Sequence, residues 1–168
     1  MSILNIEIKA RCDNPDRIRS ILNNHDADFK GTDHQVDTYF EVPSGRLKLR
    51  QGTIENNLIF YQRDNQSGPK TSSINLVPAE HPDQLHALLT NALKVKIVVD
   101  KVREIYFIDN VKFHIDEVEE LGNFVEIEAI DEDGSIGEKT LQKQCQYYID
   151  LFDITDDDLV PKSYSDMI

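Results

Sequence analysis

The chain has 168 residues, with 31 acidic against 18 basic side chains and a net charge of −13, which argues against a general nucleic-acid binder, since such proteins carry a basic excess or a basic face. The length suits one domain over 1–168, large enough to bury about two-thirds of its unfolded surface. No apolar run approaches the roughly 18 residues that span a bilayer, and the N-terminus lacks a basic-then-apolar signal profile, so a soluble cytoplasmic protein without a membrane partner is expected.

From Ile3 to Cys12 the sequence alternates. Leu4, Ile6, Ile8 and Ala10 interleave with Asn5, Glu7, Lys9 and Arg11, and a period of two predicts a strand with one apolar and one charged face. The charged face carries both signs. A carboxylate can hold a divalent cation through oxygen while lysine and arginine hold phosphate oxygens, although charges merely facing water would give the same pattern. Asn14, Pro15 and Asp16 then read as cap, first turn and dipole-favoured acid of a helix ending near His25, with Ile18, Ile21 and Leu22 on its apolar side.

His34 to Val42 alternates again, with Gln35, Asp37, Tyr39 and Glu41 on one face. Pro43-Ser44-Gly45 turns the chain into Arg46 to Arg50, which sets Arg46, Lys48 and Arg50 side by side. Three like charges on one strand face repel unless anions answer them. After a turn at Glu55-Asn56-Asn57, Leu58 to Arg63 returns with Ile59, Tyr61 and Arg63 together. The stretch from Asp64 to Lys70 reads as a polar loop containing a Ser67-Gly68 turn, and Ser72 to Val77 as a short strand.

His81-Pro82-Asp83 opens a second helix, whose Leu85, Leu88, Leu89 and Ala92 follow a packing stripe. Lys96 to Ile108, Val111 to Glu119 and Phe124 to Ile130 form a meander of hairpins, carrying Lys101 and Arg103, then Asp116, then Glu126 and Glu128. A third helix is expected from Ser135, with Glu138 completing a capping box, and Leu141, Cys145, Tyr148, Ile149 and Phe152 as its core stripe. The two cysteines, Cys12 and Cys145, suit buried thiols rather than a disulfide or a metal cluster.

This order of elements predicts an α+β fold: an eight-stranded antiparallel β-barrel, closed or nearly closed, with helices outside. Three amphipathic helices need an apolar wall to cover, so the charged faces should line the lumen. The opposite orientation would give a pocket for an apolar ligand. The five histidines lack metal-ligand spacing and read as structural, though His114 shares the parity of Asp116 and suits a supporting role beside it. Tyr39 and Tyr61 read as space-filling rather than base-stacking.

The segments NIEIKAR, DTYFEVPSGRLKLR, LIFYQR, VDKVREIY and HIDEVEELGNFVEIEA, in this order, resemble the CYTH superfamily of triphosphate tunnel metalloenzymes, closest to its class IV adenylyl cyclase-like and thiamine triphosphatase-like group. The resemblance spans almost the whole chain. The family's first strand reads glutamate-x-glutamate-x-lysine; Glu7 and Lys9 match its second glutamate and lysine, while Asn5 stands where the first glutamate belongs. The resemblance implies Mg²⁺ or Mn²⁺ held by Glu7, Asp116, Glu126 and Glu128. It implies phosphates held by Lys9, Arg11, Arg46, Lys48, Arg50, Arg63, Lys70, Lys101 and Arg103, with Glu7, Lys9, Lys101 and Arg103 serving catalysis. The partner it implies is a small triphosphate, namely tripolyphosphate, thiamine triphosphate or ATP, with no nucleic acid. Hydrolysis is the favoured outcome, against class IV cyclisation of ATP to cyclic AMP and pyrophosphate, or non-catalytic binding of polyphosphate or nucleotide. The oligomeric state is left open, a homodimer being one option.

Overall fold

The computed structural model describes residues 2–63, 66 and 68–168; the expected Ser67-Gly68 turn lies partly outside them. Strand β1 (Ser2–Arg11) leads through helix α1 (Pro15–Asn24) to β2 (Asp28–Phe40), β3 (Arg46–Gly52), β4 (Asn57–Gln62) and β5 (Lys70–Pro78). Helix α2 (Pro82–Ala92) precedes β6 (Val95–Ile108), β7 (Val111–Val118) and β8 (Gly122–Asp131), and helix α3 (Glu138–Leu151) follows. The strands close a barrel in the order β1-β5-β4-β3-β2-β6-β7-β8, every neighbouring pair antiparallel. Closure leaves no edge strand exposed.

Alternation decides which side each residue takes. Outward-facing Ile6, Ile8 and Ala10 of β1 join Val111, Phe113 and Ile115 of β7 and Val125, Ile127 and Ala129 of β8 in one buried cluster, which α1 covers with Ile18 and Leu22 and α3 with Leu141, Cys145 and Ile149. Burying each large apolar side chain contributes roughly 1.5–3 kcal/mol, so this outer core fixes the wall that carries the charged face inward. Both cysteines are free thiols within buried positions. Asn14 caps α1 as expected, its Oδ1 accepting from the Arg17 amide at 3.2 Å.

Four expectations need correction. β2 begins at Asp28 rather than His34, because Asp26 at φ 55° and Gly31 at φ 126° allow a tight exit from α1 and a bulge between Phe29 and Gly31. Lys70 opens β5 instead of ending a loop, pairing with Glu7. No Ser135 capping box forms: α3 starts three residues later at Glu138, with Gly137 as its cap at φ 89°. Asp131 instead ties down the preceding loop, accepting from the Gly134, Ile136 and Gly137 amides. Helix α2 buries none of its residues, and Leu88 stays 60 % exposed, so α1 and α3 do the covering.

Candidate active site in the barrel lumen

The inward faces carry the charged side chains, with Ile59, Ile74 and Leu76 adding apolar surface on one side, so the charges line the lumen rather than the outer wall. A cavity of about 120 Å³ lies among Glu7, Lys9, Lys48, Arg50, Glu55, Arg63, Lys101, Arg103, Lys112, His114, Glu126 and Glu128, with Tyr39, Tyr61 and Tyr164 adding aromatic surface. At about 30 Å³ per water that holds roughly four waters, room for a small ligand and far below the scale of a nucleic-acid helix. Seven cations thus face four carboxylates across one space.

Two buried ion clusters anchor the walls. Asp37 on β2 accepts from Arg50 Nε and Nη2 at 2.9 Å each, and from Lys101 Nζ at 2.7 Å, while Lys48 Nζ stands at 3.4 Å. Burial alone would raise the Asp37 carboxyl, but Arg50, Lys101 and Lys48 outweigh it and hold it well below the usual range. Burial lowers Lys101 to about 7 despite the opposing pull of Asp37. On the facing wall Arg103 grips Asp116 bidentately at 2.7 Å and reaches Glu126 Oε1 at 2.7 Å. Burial would likewise raise Glu126, yet Arg103 and Lys9 hold it well below its ordinary value.

The turn after β3 brings in a third cluster. Asp33, fully buried, accepts from the amides of Thr53, Ile54 and Glu55. A Cβ on Gly52 would sit 2.6 Å from the Glu55 carbonyl oxygen and 2.7 Å from Asp33 Oδ1, so only glycine fits there. The turn so fixed aims Glu55 inward, where Lys112 Nζ meets it at 2.5 Å and Arg50 Nη1 at 3.5 Å. Burial opposes ionisation of Glu55, but Lys112 and Arg50 bring it down to about 2.

The chain beyond α3 returns to the barrel. The Val160 amide donates to the Lys9 carbonyl at 2.9 Å, and Val160 and Tyr164 pack with Val118 and Phe124 inside the strands. Tyr164 lies under Lys9 Nζ at 3.8 Å from its ring centre and donates to Asp116 Oδ2 at 2.8 Å. Lys9 Nζ also donates to the Lys162 carbonyl at 3.1 Å and Lys70 Nζ to the Pro161 carbonyl at 2.6 Å. Burial brings Lys9 down to about 8 and Lys70 to about 7.

The structure places Glu7, Lys9, Lys48, Arg50, Arg63, Lys101, Arg103, Glu126 and Glu128 around the cavity, with Arg63 paired to Glu7. Asp116 sits directly behind, held by Arg103 and Tyr164. Lys70 is buried beside the returning tail. Arg46 lies at the barrel mouth, paired with Asp166 at 2.6 Å. Arg11 is exposed, stacked 5.3 Å over Phe124 and off the cavity lining. Sequence reasoning missed Asp37, Glu55, Lys112 and Tyr164. Lys112 carries a usable signal, since it shares strand and parity with Asp116, and Asp37 lies on the polar face of its strand.

Donors suited to a cation are present. Glu7, Glu126 and Glu128 offer hard carboxylate oxygens to the cavity, the donor type that Mg²⁺ and Mn²⁺ take. The ligand-type atoms of His114, Asp116 and Glu126 fall within 4.8 Å of one another. Asn5 is buried and donates to Glu128 Oε1 at 2.9 Å; its Oδ1 has no partner among the described residues. That orphaned oxygen and the carboxylates together fit a hard cation.

The closed antiparallel barrel gathers lysines, arginines and glutamates along the lining of its lumen. The family model of the CYTH domain matches residues 4–158, and the chain belongs to that family. Among solved structures, the PH1012 protein from Pyrococcus horikoshii OT3 superposes with a TM-score of 0.82 at 27 % identity, covering 98 % of this chain and 99 % of that one. A candidate adenylate cyclase from Vibrio parahaemolyticus follows at 0.77 and 18 % identity, covering 98 % and 97 %. HpAC1 from Hippeastrum, a candidate adenylyl cyclase described as having a dominant triphosphatase activity, aligns at 0.58 and 14 % identity, covering 97 % and 93 %. No curated protein matches. No helix among the described residues is long and apolar enough to cross a membrane.

Proposed function

We propose that this protein hydrolyses a small triphosphate, tripolyphosphate or an organic triphosphate such as thiamine triphosphate or ATP, inside the barrel with the help of Mg²⁺ or Mn²⁺. The observation that carries this reading is the convergence of seven cations and four carboxylates on one cavity. Asp37 and Asp116, just behind the lining, bring the local charge close to balance. A bare triphosphate would upset that balance, whereas a triphosphate carrying one or two divalent cations would not. Glu7, Glu126 and Glu128 would hold the cation, with Asp116 beside them, and it would supply Lewis-acid neutralisation of phosphate oxygens.

Arg50, Lys101 and Arg103 are positioned to hold the phosphates, joined by Lys9, Lys48 and Arg63. Fixed cations aimed at the phosphoryl oxygens stabilise the charge that spreads over them in the transition state. Water attacks the terminal phosphorus, one P–O bond forms, the bond to the bridging oxygen breaks, and the displaced diphosphate leaves with that oxygen. Cyclisation of ATP is the second reading, suggested by the cyclase name of the Vibrio neighbour, and it yields cyclic AMP and pyrophosphate instead. Simple polyphosphate or nucleotide binding is the third.

Purified protein with Mg²⁺ or Mn²⁺ should release phosphate from tripolyphosphate, and a Glu126→Gln variant, assayed well below its own melting temperature, should lose at least ~100-fold in rate, the scale on which one electrostatic group acts. Release of pyrophosphate with cyclic AMP from ATP would select the second reading. Absence of every product from neutral to alkaline pH would overturn catalysis.

A further inference from the structure

We propose that His114 is a metal ligand, and that its imidazole nitrogen joins Glu126 in holding the divalent cation and tilts the site towards Mn²⁺ over Mg²⁺. This rests on the reading of the lumen as a metal-triphosphate site and names a ligand that reading does not include.

His114 is 2 % exposed, yet neither ring nitrogen has a hydrogen-bond partner among the described residues. Buried imidazole nitrogens are nearly always satisfied, and an orphaned pair calls for an explanation. Its ring lines the cavity and stands opposite Glu126 in the β7–β8 register, with Nδ1 4.0 Å from Glu126 Oε1. That separation is too long for a hydrogen bond and falls within the span of two ligand atoms that each sit about 2.1 Å from one small divalent ion.

The chemistry of the surroundings agrees. Asp116 accepts from Arg103 on one side and from Tyr164 on the other, so it orients Arg103, while Glu126, whose Oε1 also accepts from Arg103 at 2.7 Å, and His114 line the cavity. A neutral imidazole nitrogen has a lone pair to donate to a metal ion. Mg²⁺ prefers all-oxygen shells, whereas first-row transition ions accept imidazole more readily.

The test is pulsed electron paramagnetic resonance of Mn²⁺ bound to the full chain, grown once with ordinary and once with ¹⁵N-labelled histidine, with and without tripolyphosphate. His25, His34 and His81 are exposed and His86 lies on α2 outside the barrel, so a histidine coupling from the lumen ion reports His114 alone. A nitrogen coupling that changes with the label, and disappears in His114→Gln, is expected. The same variant should lose at least ~5-fold in its preference for Mn²⁺ over Mg²⁺, measured by competition. If that variant does not fold, the labelled wild-type spectra decide by themselves. Tight Mn²⁺ without histidine coupling would overturn the proposal while leaving the carboxylate site intact. Failure to bind Mn²⁺ at all, with Glu126→Gln behaving like the wild type, would overturn both.

Discussion

Tyr164 donates its hydroxyl to Asp116 at 2.8 Å while its ring supports Lys9 Nζ from 3.8 Å, so one residue beyond the last helix braces both a cation and an anion of the lumen. Burial first, then Asp116, pushes this phenol well above its ordinary value, and it stays a donor throughout the working range. Replacing Tyr164 by Phe keeps the ring contact and removes the bond to a charged acceptor. The expected cost is about 1.5–3 kcal/mol, read as a lower urea midpoint at unchanged slope. An unchanged midpoint would show that the hydroxyl contributes nothing.

Asp37 is the counter-ion of three cations, and Asp37→Asn should therefore destabilise more than an ordinary surface change. Removing one partner of a buried charge cluster costs about 3–5 kcal/mol, or roughly 10 °C in melting temperature for a chain of this size. Tripolyphosphate supplies the missing negative charge, so it should raise the melting temperature of the variant more than that of the wild type. Equal shifts in both proteins would separate Asp37 from the ligand site.

The depressed carboxyls set the acid limit of the fold. Burial opposes ionisation of Asp37, Glu126 and Glu55, but neighbouring cations win in each case. A group whose folded value is lowered stabilises above its unfolded value and loses that contribution as pH falls through the folded one. Stability should therefore hold down to about pH 4 and fall steeply towards pH 2, near the value of Glu55. Urea midpoints that stay flat from pH 5 to pH 2 would contradict this.

The buried lysines give an opposite and separable signature. Burial brings Lys101 and Lys70 to about 7 and Lys9 to about 8, so all three are largely neutral near pH 9.5. A bound triphosphate favours their charged forms, and binding at that pH should take up protons from buffer. Calorimetry in two buffers of different ionisation enthalpy measures the uptake. No uptake, or release, would place the triphosphate away from these lysines.

Much of this site was legible before the fold was known, because strand parity sorts residues by side. The alternation of Glu7, Lys9 and Arg11, and of Arg46, Lys48 and Arg50, placed whole faces inward. Parity does not say how far along the barrel a residue lies, which is why Arg11 ends exposed on Phe124 although its neighbours reach the cavity. Asp37 was read with the correct face but given no role, since its three cations come from β3 and β6. Tyr164 carried no periodic signal at all; its place follows from the tail crossing back to Lys9. The start of α3 was misplaced because Asp131, from the preceding strand, takes the amides that a Ser135 cap would have served.

The most direct test of the central claim is a crystal structure with a slowly hydrolysed triphosphate analogue and Mn²⁺. Phosphate density among Arg50, Lys101 and Arg103, with an anomalous manganese peak beside Glu126, is the predicted result. A ligand bound on the outer wall, or a lumen holding neither phosphate nor metal at saturating concentrations, would contradict it.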